Sequence, residues 1–82
     1  MYYIFSFRSR NQSMRFYEAL KKENCAAKLI TTPRAVSVGC GLSVQVSSQA
    51  VEAGRRILSY SNYDTFLGLF YVDGGFIQRV TR

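Results

Sequence analysis

The chain has 82 residues, 48% of them hydrophobic and 15% aromatic, with eleven Lys and Arg against five Asp and Glu. That is enough apolar content for one packed domain spanning residues 1–82, and too much for a disordered chain. The net charge of +6 is spread out without a block of like charges, which describes a basic solvated surface expected to bind nucleic acid only weakly and non-specifically.

Tyr2 to Phe7 is aromatic and β-branched and reads as a first strand, with Tyr3, Phe5 and Phe7 on one face. Ser9 followed by Gln12 matches a capping box, in which the serine oxygen takes a free backbone N–H and the glutamine reaches back to the cap. The pattern predicts a first helix over residues 10 to 23, with Ser13, Phe16, Tyr17 and Leu20 on its buried side. Cys25 is a junction residue against the core, and Ala26 to Thr32 a second strand alternating through Ala27, Leu29 and Thr31. Pro33 ends that strand, because it lacks a backbone donor and biases Thr32 toward extended backbone.

The third strand, Leu42 to Val46, alternates strictly: Leu42, Val44 and Val46 face the core, Ser43 and Gln45 face out. Ser47 and Ser48 offer N-caps to a second helix ending near Ser59, with Ala50, Val51, Gly54, Ile57 and Leu58 as its apolar stripe. Asn62, Tyr63 and Asp64 connect it to a strand from Phe66 to Val72. Asp73-Gly74-Gly75 then turns the chain into a last strand, Phe76 to Val80. Strand, helix, strand, strand, helix, strand is the ferredoxin-like α+β order, here with a C-terminal hairpin extension.

Between the second and third strands runs a segment longer than a tight hairpin needs, Pro33 to Gly41, with Cys40 set between Gly39 and Gly41. Flanking glycines remove neighbouring Cβ atoms and let another molecule approach the sulfur. Arg34 is a permanent cation that favours a thiolate, and the Ser37 hydroxyl with the turn amides at Gly39, Cys40 and Gly41 is a candidate anion-binding nest. An extended segment would hold Arg34 and Cys40 roughly 20 Å apart, so the loop must fold back for the charge to matter. The competing expectation extends the third strand backwards through Val36 to Val38, leaving a bulge at Gly39 and Cys40 inside the sheet.

The chain opens on Met1-Tyr2-Tyr3-Ile4-Phe5, with no basic segment followed by a cleavable apolar stretch. The expected compartment is the cytoplasm, where both cysteines stay as thiols. No apolar run approaches the roughly 20 residues of a membrane-spanning helix, so no membrane partner is expected. With no histidine in the chain, a Cys–His nucleophile is excluded, and two cysteines cannot fill the ligand set of a zinc site. No metal, no cofactor and no enzymatic activity are expected.

The first strand ending Phe5-Ser6-Phe7, the helix start at Ser9, and above all Thr32-Pro33-Arg34, Val36-Ser37 and Cys40-Gly41 resemble the putative selenium/sulfur carrier protein-like family of short bacterial proteins. The resemblance covers nearly the whole chain. It implies that Cys40 carries sulfur or selenium as a persulfide or perselenide, flanked by Pro33, Arg34, Ser37, Gly39 and Gly41. The partners it implies are sulfur or selenium donor and acceptor proteins; a homodimer joined through sheet edges is a further candidate. The alternatives are a basic nucleic-acid or polyanion binding module, with Tyr3, Phe5 and Phe7 stacking bases, and a non-catalytic structural or regulatory partner protein.

Overall fold

The computed structural model describes residues 1–36 and 41–80. Its elements are β1 (Tyr2–Phe7), α1 (Arg10–Lys22), β2 (Ala27–Thr31), β3 (Leu42–Val46), a 3-10 turn (Ser48–Ala50), α2 (Val51–Tyr60), β4 (Phe66–Asp73) and β5 (Phe76–Arg79). The five strands form one sheet in the order β2-β3-β1-β4-β5, and each neighbouring pair is antiparallel. The α+β class is as expected. Among the described residues no helix is long and apolar enough to cross a membrane.

Both helices pack on the face presented by Phe5, Phe7, Val44, Val46 and Leu69, where they contribute Phe16, Leu20, Ala53 and Ile57. Phe16 is the hub, its ring 4.8 Å from that of Phe5 and 5.1 Å from that of Phe7. Tilted aromatic contacts of this kind add to simple burial, since ring edges meet ring faces. The aromatic stripe of β1 is therefore core. Phe5 and Phe7 have no exposed surface, which corrects the expectation that they stack bases; Tyr3 packs against the core and Tyr71 instead. α2 approaches β1 so closely that a Cβ on Gly54 would run into the Phe5 ring.

Helix α1 starts as its sequence demands and then departs from it. Gln12 N–H donates to Ser9 Oγ at 3.2 Å, which is half of the expected capping box. The Gln12 side chain does not return to Ser9; its Nε2 donates to Asp64 Oδ1 and its Oε1 accepts from Thr65 N–H and hydroxyl. Thr65 Oγ1 accepts the Ser9 N–H in its place, so the cap bolts α1 to the start of β4. At the other end α1 stops at Lys22, one residue short of expectation. Asn24 takes a left-handed conformation, φ 61, while Cys25 N–H reaches Leu20 O and Asn24 N–H reaches Lys21 O, a Schellman closure. α2 begins through the 3-10 turn with no side-chain bond from Ser47, and it runs to Tyr60. β5 stops at Arg79, although Val80 N–H still donates to Leu69 O.

The other face of the sheet carries a smaller cluster of Ile4, Phe70 and Val72, against which Tyr2, Ile30, Ile77 and Val36 pack. Val36 belongs to the long connection between β2 and β3. The start of that connection thus lies across the face the helices leave uncovered.

Candidate functional site

The connection is held at both stems. Thr31 and Leu42 are the last pair of the β2–β3 register, and beyond them Thr32 N–H donates to Gly41 O at 3.1 Å. Pro33 to Val36 form a turn closed by Val36 N–H on Pro33 O at 2.9 Å, with Arg34 and Ala35 exposed at its tip. Pro33 stands at the first position of this turn, where only its carbonyl is used and its missing N–H costs nothing, and Arg34 and Ala35 are the central residues. Val36 then comes down on the Ile4, Phe70 and Val72 cluster. The described half of the loop turns back onto the sheet. Val36 sits in this turn and not in a backward extension of β3, which begins at Leu42. Ser37, Val38, Gly39 and Cys40 lie outside the described residues, and with them the expected nest, the expected bulge at Gly39 and the candidate carrier thiol.

Gly41, the covalent neighbour of Cys40, is buried. A Cβ there would stand 3.1 Å from Phe7 O and 3.2 Å from Thr32 Oγ1, closer than side chains ordinarily pack. Its lack of a side chain therefore lets the returning strand seat against β1 and the stem threonine, beyond any access it gives to the sulfur. A third tie comes from α1, where Ser13 Oγ donates to Leu42 O at 2.7 Å. The strand leaving the loop is fixed to β2, β1 and α1 together.

From the β2 stem runs a row of hydroxyls. Thr32 Oγ1 and Ser43 Oγ are 2.7 Å apart, and Ser43 Oγ and Ser6 Oγ 2.8 Å apart. Ser6 and Ser43 are completely buried. Ser43 was expected to face solvent; it does point away from the helices, but its side of the sheet is covered. The available signal was the facing of Ser6 by Ser43 in the β1–β3 register, two hydroxyls inside otherwise apolar strands.

The second cysteine is elsewhere. Cys25 closes the Schellman turn before β2, half-buried, its Sγ 3.8 Å from Glu23 O, whereas Gly41 pairs beyond the opposite end of that strand. Glu23 is held there by Arg56 at 2.8 Å and by the Tyr60 hydroxyl at 3.2 Å. Cys25 packs against the helix-side core, a place that serves the fold.

A family model described as Putative Se/S carrier protein-like matches residues 2–65. The chain belongs to that family. No curated protein and no solved structure matches the chain. The matched segment of this Se/S carrier-like protein runs from the start of β1 to the residue before β4, so it contains the whole Pro33–Gly41 loop, both of its stems and the Ser6, Thr32 and Ser43 hydroxyls. β4 and β5 lie beyond it.

Proposed function

We propose that the protein is a sulfur or selenium carrier that holds the chalcogen on Cys40 as a persulfide or perselenide. The observation that carries this reading is the family match over residues 2–65, which spans a loop whose stems are fastened to three elements. A carrier must present one nucleophilic sulfur to a donor and then to an acceptor protein, and it needs a fixed platform for docking more than a catalytic apparatus. In the loading step the Cys40 thiolate attacks the outer sulfur of a donor persulfide; the S–S bond of the donor breaks, its thiolate leaves, and a new S–S bond forms on Cys40. Oxidation level is conserved overall, so no cofactor is drawn in. Arg34, at the exposed tip of the turn, favours the thiolate by its charge, and Pro33, Ser37, Gly39 and Gly41 shape the loop around it. On this reading the protein is not an enzyme and works in the cytoplasm.

The ferredoxin-like arrangement is part of the same proposal. It is supported by the order β2-β3-β1-β4 within the sheet, with β5 as an added edge strand and both helices on one face.

Intact-mass measurement after incubation with a cysteine desulfurase and cysteine, or with a selenium donor, tests the carrier role. Wild type and Cys25→Ser should each gain a chalcogen atom, and Cys40→Ser should gain none. A gain that survives in Cys40→Ser and disappears in Cys25→Ser would overturn the assignment.

A further inference from the structure

β2 is a terminal strand: β3 lies on one side of it, and among the described residues no strand lies on the other. Which of its backbone groups meet β3 follows from the register. Thr32 N–H donates to Gly41 O, and the pairing continues from there through Thr31 and Leu42 to Ala27 and Val46. Hydrogen-bonded pairs alternate along an antiparallel ladder, so Ile30 and Lys28 bond to β3 while Ala27 and Leu29 turn their N–H and C=O groups outward. Both lie in the part of β2 that follows the Schellman turn, away from the Pro33–Gly41 connection.

Helix α1 supplies a wall above this edge. It packs on β2 and β3, and its Gln12, Arg15 and Glu23 reach across to Asp64, Asn62 and Arg56, so that flank faces α2 and the start of β4. Phe16 and Leu20 point into the core. On the remaining flank, the one on the β2 side, Arg10, Met14, Tyr17 and Lys21 recur at helical spacing. Arg10, Met14 and Lys21 are exposed, and Tyr17 is half-buried with its ring centre 5.9 Å from Lys21 Nζ. On β2, Lys28 is exposed and belongs to the outer face, since its neighbour Leu29 packs on the helix-side core. Edge and flank together join outward peptide groups, a strip formed by Met14 and Tyr17, and the cations Arg10, Lys21 and Lys28. Glu23 and Asp64 are engaged on the opposite flank of α1, Glu52 is on α2 and Asp73 ends β4, which leaves Glu18, on the solvent side of α1, as the nearest acid.

We infer that the β2 edge, beside the Tyr17 and Lys21 flank of α1, docks an extended acidic segment of a partner protein as an added strand. Outward N–H and C=O groups pair with a backbone that offers both in turn, whereas a phosphate chain offers acceptors only. Side chains of an added strand alternate in direction: those on the helix side meet Met14 and Tyr17 and are apolar, and those on the outer side meet Lys28 and are acidic. A second copy of this chain is the wrong occupant. It would bring Arg10, Lys21 and Lys28 of both copies to one seam, and an exposed lysine on an edge strand works against such self-pairing.

The test is a backbone-amide NMR titration of the full chain with the synthetic peptide acetyl-Glu-Val-Glu-Val-Glu-Val-amide, with a version carrying Lys for Glu as control. The acidic peptide should shift the amides of Ala27, Lys28 and Leu29 in β2 and of Tyr17 and Lys21 in α1, and the basic peptide should not. Lys28→Glu should weaken the acidic peptide by about tenfold and admit the basic one. Ala27→Pro removes one outward N–H and leaves the bonds to β3 in place; it should melt close to wild type and weaken binding by about fivefold, the size of one hydrogen bond. If Ala27→Pro does not fold, Lys28→Glu decides. Absence of those shifts, shifts confined to other residues, or undiminished binding in the folded variants would overturn the proposal. Dimerisation that is lost in Ala27→Pro would overturn it in favour of a second copy, and larger shifts of the same amides with an oligothymidylate in favour of a nucleic acid. None of these titrations involves Cys40 or its cargo, so their failure leaves the carrier reading to the loading experiment.

Discussion

On the face the helices cover, Phe5, Phe7, Phe16 and Leu20 bury completely against one another; on the opposite face, Ile4, Phe70 and Val72 share the sheet with Ser6, Ser43 and the turn that ends at Val36. The first surface is held by many aromatic contacts, so no single one fixes its geometry, and its product is stability. The second has few apolar groups and a directional row of hydroxyls, so it contributes less to stability and more to where the loop stems sit. The two faces of the one sheet thus do different work, the helix side holding the fold and the outer side seating the described start of the β2–β3 connection. Substitutions should then fall into two groups, one that moves melting and one that moves thiol chemistry.

The strongest test of the division is Phe7→Ala. Phe7 has no exposed surface and its ring meets those of Phe16, Tyr63 and Phe66, so truncation should cost about 3–5 kcal/mol. For a chain this small that approaches the whole stability of the fold. Chemical denaturation should show a largely unfolded protein; a cooperative transition near that of wild type would mean that the helix-side core is not what holds the molecule.

Next in size is Gly54→Ala. The added methyl meets the Phe5 ring, and although alanine favours the helix, overpacking should dominate with a net loss of about 1–3 kcal/mol. The loss should appear in the denaturation midpoint while Cys40 alkylation of the still-folded protein stays as in wild type. An alkylation rate that changed with it would show that the two faces are coupled.

Much of this architecture is legible in the chain, and the places where legibility ends share one cause. Leu42, Val44 and Val46 mark a buried face by alternation, and β3 forms where that alternation runs. The same pattern is silent about whether the second face is covered. Ser43 is therefore read as solvent-facing, although a turn distant from it in the strand pattern closes over that side. Ser9 announces the start of α1 through a local bond, but the partner of Gln12 is Thr65, which no local rule could name. Gly41 looked like an opening beside the thiol, whereas its contacts with Phe7 O and Thr32 Oγ1 depend on strand pairing. The β3 alternation and the Ser9 cap are local and hold, the return of Gln12 to Ser9 and the Ser47 cap are local and do not form, and the hydroxyl row and the seat of Val36 depend on the topology.

Val36→Ala should separate the loop from the fold. Val36 is half-buried on the outer cluster, and removing its methyl groups should cost about 1 kcal/mol. Hydrogen exchange should rise in the turn, at the Val36 amide that bonds Pro33 O, and should stay unchanged in α1 and β1. Uniform acceleration across the chain would show instead that the turn belongs to the global core.

The smallest effect on stability, and the clearest on chemistry, is expected from Arg34. Its side chain is exposed at the tip of the turn, and surface substitutions of this kind stay within about 0.5 kcal/mol, so Arg34→Ala should melt with wild type. Its charge should still matter to the thiol, because the turn folds back over the sheet and a nearby cation favours the thiolate. Alkylation of Cys40 at neutral pH should slow in Arg34→Ala, with the rate–pH profile displaced toward higher pH and Cys25 remaining the less reactive cysteine. Added salt should shrink the difference between the two proteins, since an exposed charge is screened within roughly 8 Å at physiological ionic strength. Arg34→Lys should keep part of the wild-type rate if charge alone acts, and little of it if the planar guanidinium fork is needed. An identical profile in Arg34→Ala would place the charge out of reach of the thiol.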